Sequence, residues 1–367
     1  MQTFEIFLLS TPGLERVVAE EAAAAGFDVT GKHAGGVTIH GAWPEVWRAN
    51  LELRGPGAVL ARLGTFRASH LSELDKKARK FPWDEILRAD TPVKVSAACK
   101  ASRIYHSGAV KQRVEDALKA AGLTIAEDAD VEVMARIEKD ICTISIDTSG
   151  ALLHKRGHKE AMAKAPLRET MASLFLRQCG YVGTEPVLDP MCGSGTFVLE
   201  AAEIARGLHP GRDRAFAFEK LKTFDAAAWA QMRLPKPAVD LPFRFTGFDR
   251  DAGAITASKA NAERAGVASM TDFAQAPVSA LRRPEGPPGL VIVNPPYGKR
   301  IGDVKKLTGL HAALGQALRE GFSGWRVGLV TNEKALAQAT GLPFIKPSAP
   351  VLHGGLRVHL WRTEALK

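Results

Sequence analysis

PVLDPMCGSGTFVLEAA, residues 186–202, is the stretch that decides the fold. A short apolar run ends in Asp189, a loop carries Gly193 and Gly195, and a helical pattern begins at Thr196. Such a unit brings backbone N–H groups to an open carboxyl strand end, where open α/β sheets bind ligands. The dinucleotide fingerprint fails here, because G-x-G-x-x-G needs Gly or Ala where Val198 stands. The next acidic strand end, Asp249 and Asp251 in FTGFDRDA, lies about 60 residues beyond Asp189, against roughly 20 in a simple βαβ nucleotide site. An insertion therefore separates the first two strands. Outward from this unit, strands at 187–189, 244–248, 290–293, 326–331 and 358–362 alternate with helices at 167–178, 196–205, 252–265 and 307–320, the spacing of a mostly parallel, doubly wound sheet.

IVNPPYGKRIG, residues 292–302, follows the third of those strands. Two prolines fix the backbone, remove two donors and leave the Pro295 carbonyl free to accept. Asn294 adds a side-chain carbonyl and Tyr297 an aromatic face. Two acceptors beside a stacking plane suit the exocyclic NH₂ of a nucleobase. The bland alternative is an Asn-Pro turn followed by a surface Tyr.

In this order, DPMCGSGTF, GFDRDA and NPPYG resemble the cofactor loop, ribose-binding strand end and catalytic motif of the class I amino methyltransferases. APLRET, residues 165–170, is similar to the segment that approaches the methionine end of their cofactor. The stretch LHKRGHKEAMAKAPLRETMA resembles the junction of a narrower family, the THUMP-containing RNA guanine-N2 methyltransferases, and most closely the RlmL-type enzymes of bacterial large-subunit ribosomal RNA. The family's insertion between the first two strands resembles GLHPGRDRAFAFEKLKTFDAAAW, residues 207–229. The resemblance implies a Rossmann-like class I methyltransferase domain at 156–367, preceded at 1–155 by a ferredoxin-like plus THUMP RNA-binding module. It implies S-adenosyl-L-methionine as cofactor, 23S rRNA as the favoured partner with tRNA the alternative, and the exocyclic N2 of a guanine as acceptor.

Carried over residue by residue, the catalytic group is Asn294, Pro295, Pro296 and Tyr297. The cofactor would be held by Pro166, Leu167 and Thr170, by Asp189, Pro190, Met191, Cys192, Gly193, Ser194, Gly195 and Thr196, by Asp249, Arg250 and Asp251, and by Gln275 and Asn294. Asp249 would accept the ribose hydroxyls, with Asp251 the weaker candidate, and Asp189 would take the amino group. One departure stands out: the family's acidic residue facing the adenine amine is replaced near Pro277, with Asp272 several residues early and Gln275 nearby. Transfer would run in line from a sulfonium to the amine, Asn294 and the Pro295 carbonyl stabilising the pyramidal nitrogen while Tyr297 stacks on the base.

The first half reads as a small α+β module. Residues 1–10, 36–40 and 93–99 read as strands, 13–25, 43–50 and 107–121 as helices, and 131–138 with 141–147 as a hairpin turning at Glu138, Lys139 and Asp140. Trp43 and Trp47 share a helix face and read as core.

The 367 residues carry 46% hydrophobic and 24% charged side chains and a net charge of +9. Those proportions belong to a folded chain of two or three domains and exclude disordered and fibrous classes. No apolar run approaches the roughly 20 residues of a membrane span. The N-terminal stretch lacks the basic start of a signal peptide, so the cytoplasm is the expectation, and with no exposed apolar stripe evident a monomer is the default. Cys99, Cys142, Cys179 and Cys192 are scattered, which argues for reduced thiols and against a metal site. Residues 54–113 hold thirteen Lys or Arg against five Asp or Glu, a balance of +8, and residues 114–150 a balance of −6. RNA-backbone candidates are Arg103, His106 and Lys111 within SRIYHSGAVKQRV, then Lys155, Arg156 and Lys159 at the junction, and Lys299 and Arg300 beside the catalytic motif. Two rivals stand beside this reading: an adenine-N6 DNA methyltransferase, since NPPY serves both chemistries, and an RNA-binding assembly factor with a degenerate methyltransferase domain.

Overall fold

The computed structural model describes residues 3–157, 167–235, 240–296 and 304–367. They fall into two compact units, one built from Met1–Ser10, Val18–Leu153 and Arg214–Leu234, the other from Thr11–Val17, His154–Asp213 and Pro235–Lys367. The chain thus changes unit two residues before the expected 155/156 boundary. Arg214–Leu234, expected with the second half, belongs to the first unit.

The first unit runs β1 (Phe4–Leu9), α1 (Glu15–Ala24), β2 (Asp28–His33), β3 (Gly36–Gly41), α2 (Trp43–Glu52), β4 (Ala58–Arg67), α3 (Leu71–Ala78), α4 (Trp83–Ile86), β5 (Val93–Lys100), α5 (Ser107–Ala120), β6 (Val131–Glu138) and β7 (Ile141–Asp147). Its sheet has the order β2-β3-β1-β4-β7-β6-β5, antiparallel except for the β5–β6 pair. β4 is the shared strand, paired with β1 along one edge and β7 along the other. The expected hairpin is β6–β7, closed by Glu138↔Ile141, with Lys139 and Asp140 at φ of 51° and 62°. Two successive residues of positive φ form the tight turn whose twist matches the flanking strands.

The inserted segment joins this unit because its aromatic side chains need a core. Phe218 stacks on Trp47 at 6.2 Å and meets Trp229 edge-on at 5.0 Å, and the Phe218 N–H donates to the Thr148 carbonyl at 3.1 Å. A buried polar knot ties α2 to β4 and to the end of β7. Asn50 Nδ2 donates to Thr148 Oγ1 at 3.0 Å, Ser149 Oγ donates to Asn50 Oδ1 at 2.7 Å, and Thr148 Oγ1 donates to the Val59 carbonyl at 2.6 Å. Asn50, Thr148 and Ser149 are all buried, so every partner lost leaves an unsatisfied group.

The second unit comprises α6 (Glu169–Gln178), β8 (Val187–Asp189), α7 (Thr196–Ala205), β9 (Phe245–Asp249), α9 (Ala252–Ala265), β10 (Thr271–Gln275), β11 (Leu290–Val293), α10 (Val304–Gly321), β12 (Arg326–Thr331), α11 (Lys334–Ala339), β13 (Val351–His353) and β14 (Leu356–Arg362); α8 (Ala226–Met232) lies in the inserted segment. The order is β10-β9-β8-β11-β12-β14-β13, parallel as far as β12, with β14 antiparallel to it. The expected doubly wound sheet is therefore present. β8 and β11 are buried along their whole length, as central parallel strands must be. On one face Val291, Val293, Val327 and Leu329 pack with Leu314 and Leu318 of α10 and with Phe322 just after it. On the other, Gly328 leaves room for Cys179, whose sulfur would lie 2.7 Å from a Cβ there. All four cysteines are free, and burial pushes the Cys142 and Cys179 thiols up to about 12.

Arg156 needs a correction. Proposed from sequence as an RNA contact, it is only 2% exposed, and its Nε lies 3.1 Å from Glu200 Oε1 on α7. A dense basic stretch suggests a phosphate contact, but this guanidinium neutralises a carboxylate that α7 carries into the core. Replacing Arg156 with Ala takes that cation from a buried carboxylate and is expected to lower the unfolding free energy by about 3–5 kcal/mol, read by urea denaturation, while the folded fraction keeps its affinity for RNA. Asn50→Ala is expected to cost about 2–4 kcal/mol, from two or so orphaned buried partners, in the same measurement.

Candidate active site

Asp189 closes β8 and Asp249 closes β9, side by side at the carboxyl edge of the second sheet, where Asp189 pairs with Gly247 in register. Between β8 and α7, Gly193 and Gly195 take φ of 54° and 85°, a left-handed region that side chains resist. The loop is held from three directions. Gly193 N–H donates to Asp249 Oδ2 at 2.9 Å, Ser258 Oγ of α9 donates to the Gly193 carbonyl at 2.8 Å, and Asn261 Nδ2 donates to the Ser194 carbonyl at 3.1 Å. Cys192 and Ser194 are buried, so they hold the loop in place more than they face a ligand; Pro190 and Thr196 are buried as well, and Met191 is half-buried.

Asp189 accepts from the Met191 N–H at 3.0 Å and is otherwise enclosed, at 3% exposure. Burial pushes its carboxyl up to about 8; the Met191 N–H opposes that rise and the charge of Asp249 adds to it. Asp249 is half-buried, and its other oxygen accepts from the Asp251 N–H at 3.0 Å. Asp251 itself caps α9, taking the Gly253 N–H at 2.8 Å. That explains its acidic side chain without a ligand and leaves Asp249 as the strand-end carboxylate. Arg250 is exposed, and its carbonyl receives Gln275 Nε2 at 2.9 Å.

Gln275 ends β10 directly beside Asp249 in register. Asp272 sits three residues earlier, ion-paired to Arg244 through both carboxylate oxygens. Of the polar groups near Pro277 it is Gln275 that reaches the strand end. Leu167 and Thr170 are buried at the start of α6, and Pro166 lies outside the described residues.

At the end of β11, Asn294 is half-buried, and its Oδ1 is buried with no hydrogen-bond partner among the described residues. A buried carbonyl without a donor carries a desolvation penalty. Pro295 is buried and Pro296 half-buried; Tyr297, Lys299 and Arg300 lie outside the described residues, as does Lys159. The described residues thus put two carboxylates and a glycine loop on β8 and β9, and an amide carbonyl in want of a donor on the adjoining β11.

In the first unit the basic candidates are engaged. Arg103 lies 3.7 Å from Asp140, His106 caps α5 by accepting the Ala109 N–H at 3.0 Å, and Lys111 lies 2.6 Å from Glu127. All three keep some exposure, and Lys155 is exposed. Tyr105, passed over in the sequence, is 83% exposed between Arg103 and His106. An aromatic flanked by Arg and His in a polar run was the available signal.

Three domain families match the chain: the RlmL ferredoxin-like domain over residues 5–60, the THUMP domain over 68–147, and the RMKL-like methyltransferase domain over 156–347. A ribosomal RNA large subunit methyltransferase K/L of Chromohalobacter salexigens is 34% identical over 363 residues, covering 93% of this chain and 50% of that protein. A putative RNA methyltransferase of Synechocystis is 30% identical, covering 96% of this chain and 94% of its own length. The chain spans about half the length of most of the curated relatives it matches. A solved putative methyltransferase complexed with S-adenosylhomocysteine superposes with a TM-score of 0.90 at 25% identity, covering 100% of this chain and 99% of that one. With the methyltransferase domain matched over more than half its length, the chain belongs to the RMKL-like family of S-adenosylmethionine-dependent methyltransferases.

Proposed function

We propose that the chain methylates the exocyclic N2 of a guanine in 23S rRNA. The observation that carries this reading is the Asn294 Oδ1, buried and without a hydrogen-bond partner among the described residues, next to the Pro295 carbonyl, one strand from Asp189 and two from Asp249. An amine offers two N–H donors, the number these two acceptors require.

The residues present fit the cofactor. Asp249 retains lone pairs for ribose hydroxyls beyond the two backbone N–H groups it already accepts. Gln275 Oε1 is available to the adenine amine, in place of the family's acidic residue, and the enclosed Asp189 offers a carboxylate to an ammonium. When bound, S-adenosylmethionine supplies a methyl on a positively charged sulfur. Asn294 and Pro295 orient the amine toward that methyl and stabilise positive charge on the nitrogen as it becomes tetrahedral. No strong base is needed, because the proton leaving the alkylated amine is acidic. Exposed cations of the first unit supply sequence-independent contacts to the RNA backbone, and the base must be unpaired or flipped out to enter.

Asn294→Ala is expected to abolish transfer of labelled methyl to 23S rRNA, with S-adenosylhomocysteine binding by calorimetry within about threefold of the parent; near-normal turnover in that variant overturns the assignment. Mass spectrometry of rRNA and tRNA nucleosides from a strain lacking the protein should find one N2-methylguanine missing from rRNA.

Asp189 makes a pH prediction. Below about pH 4 the carboxyl is protonated in both folded and unfolded chains. Between there and about 8 only the unfolded chain has released the proton, so the group increasingly opposes folding; above 8 the penalty is constant. An ammonium placed beside it favours the ionised form. Affinity for S-adenosylhomocysteine is therefore expected to rise from pH 6 to 7.5, with proton release visible as a dependence on buffer ionisation enthalpy. Asp189→Asn should flatten both effects; an unchanged pH profile in that variant removes Asp189 from the ammonium site.

A further inference from the structure

A second buried carbonyl lacks a partner at the same edge of the sheet. Oδ1 of Asn332, the residue following β12, is buried and makes no hydrogen bond among the described residues, the condition also found at Asn294. β11 and β12 are parallel neighbours, with Val293 opposite Leu329. One residue further, Asn294 is level with Val330, and strand alternation puts Val330 and Asn332 on one face. That is the face opposite Val291, Val293, Val327 and Leu329, which pack on α10. Carried one residue past the end of each strand, the alternation puts both carbonyls on one side of the sheet, one strand apart and about 7 Å offset along it at 3.3 Å per residue. Asp189, Asp249 and Gln275 end β8, β9 and β10, on the other side of β11 from β12. A base approaching Asn294 opposite the cofactor strands comes in over the end of β12.

We propose that Asn332 determines which base is methylated, by accepting the ring N1–H of a guanine whose amine is held by Asn294 and Pro295. This rests on the guanine-N2 reading and deepens it. Guanine presents three adjacent donors on that edge, two on N2 and one on N1, and the three acceptors are Asn294 Oδ1, the Pro295 carbonyl and Asn332 Oδ1. Adenine presents a lone pair at N1, which a carbonyl repels. The NPPY motif alone reads an amine and is indifferent to this difference; Asn332 supplies the discrimination, since a site built to pair with a donor rejects an analogue lacking it.

The test uses the full chain. The methylated residue is mapped on an unmodified 23S rRNA transcript, and a synthetic RNA hairpin spanning it then carries either guanine or 2,6-diaminopurine there. Diaminopurine keeps the N2 amine and replaces the N1–H with a lone pair. The parent chain is expected to prefer guanine by about 10–100-fold in kcat/KM, the cost of leaving one buried acceptor without its donor. Asn332→Ala should bring the two substrates within about threefold, through loss on guanine, while Asn332→Asp, which keeps an acceptor, should retain the preference. Unchanged S-adenosylhomocysteine binding by Asn332→Ala certifies the fold; if that variant binds poorly, the comparison is read from Asn332→Ser and Asn332→Asp. A guanine preference that survives removal of the side chain, or an equal loss on both bases, overturns the role of Asn332. A parent chain that methylates no guanine N2 overturns the guanine reading itself.

Discussion

One carboxylate organises the edge of the sheet where the chemistry is placed. Asp249 takes the Gly193 N–H on one oxygen and the Asp251 N–H on the other, so the loop after β8 and the entry to α9 are fixed by the same side chain. α9 returns the constraint through Ser258 and Asn261, which hold the far side of that loop. The loop is pinned at Gly193 by a hydrogen bond to an anion, stronger than a neutral one. The enclosure this creates is also what raises Asp189: a carboxyl cut off from water, with a second negative charge nearby, keeps its proton near neutrality.

The charge pattern of the first unit has a different meaning in three dimensions. The +8 block and the −6 stretch meet in part: Lys100 lies 3.1 Å from Glu138, Arg103 near Asp140, and Lys111 beside Glu127. Pairs this exposed are worth about 0–1 kcal/mol each, so a polyphosphate can exchange places with the carboxylates. The Arg156–Glu200 pair cannot be exchanged in this way, because neither partner faces water. A count of charges along the chain does not separate these two cases; burial does.

Much of the methyltransferase architecture was legible because parallel central strands are short apolar runs ending in functional residues. β8, β11 and β12 coincide with their expected bounds, and α7 and α9 follow from a glycine loop and an Asp cap. β10 escaped notice because TDFAQ is too short and polar to read as a strand, which also hid Gln275 as a strand-end residue aligned with Asp249. β4 was missed because AVLARLGTFR carries arginines and a glycine through its length; it bends at a register shift near Gly64. Asp251, a ligand candidate from sequence, also caps α9, since both roles ask for the same side chain at the end of a strand. Asn332 follows an ordinary buried strand in a motif-free run, and what marks it is an oxygen without a partner among the described residues.

Sharing β4 has a consequence for how such chains can be rearranged. Family boundaries fall at residues 60 and 68, yet β4 runs from Ala58 to Arg67 and pairs on both edges. A recombination joint placed between those two modules would cut neither neighbour cleanly: it would strip one half-sheet of its edge partner and leave a row of unpaired amides to aggregate. The aromatic segment Arg214–Leu234 belongs with them, though it is encoded within the methyltransferase half. The transferable piece is therefore discontinuous, and lineages exchanging these N-terminal modules would have to inherit both stretches together.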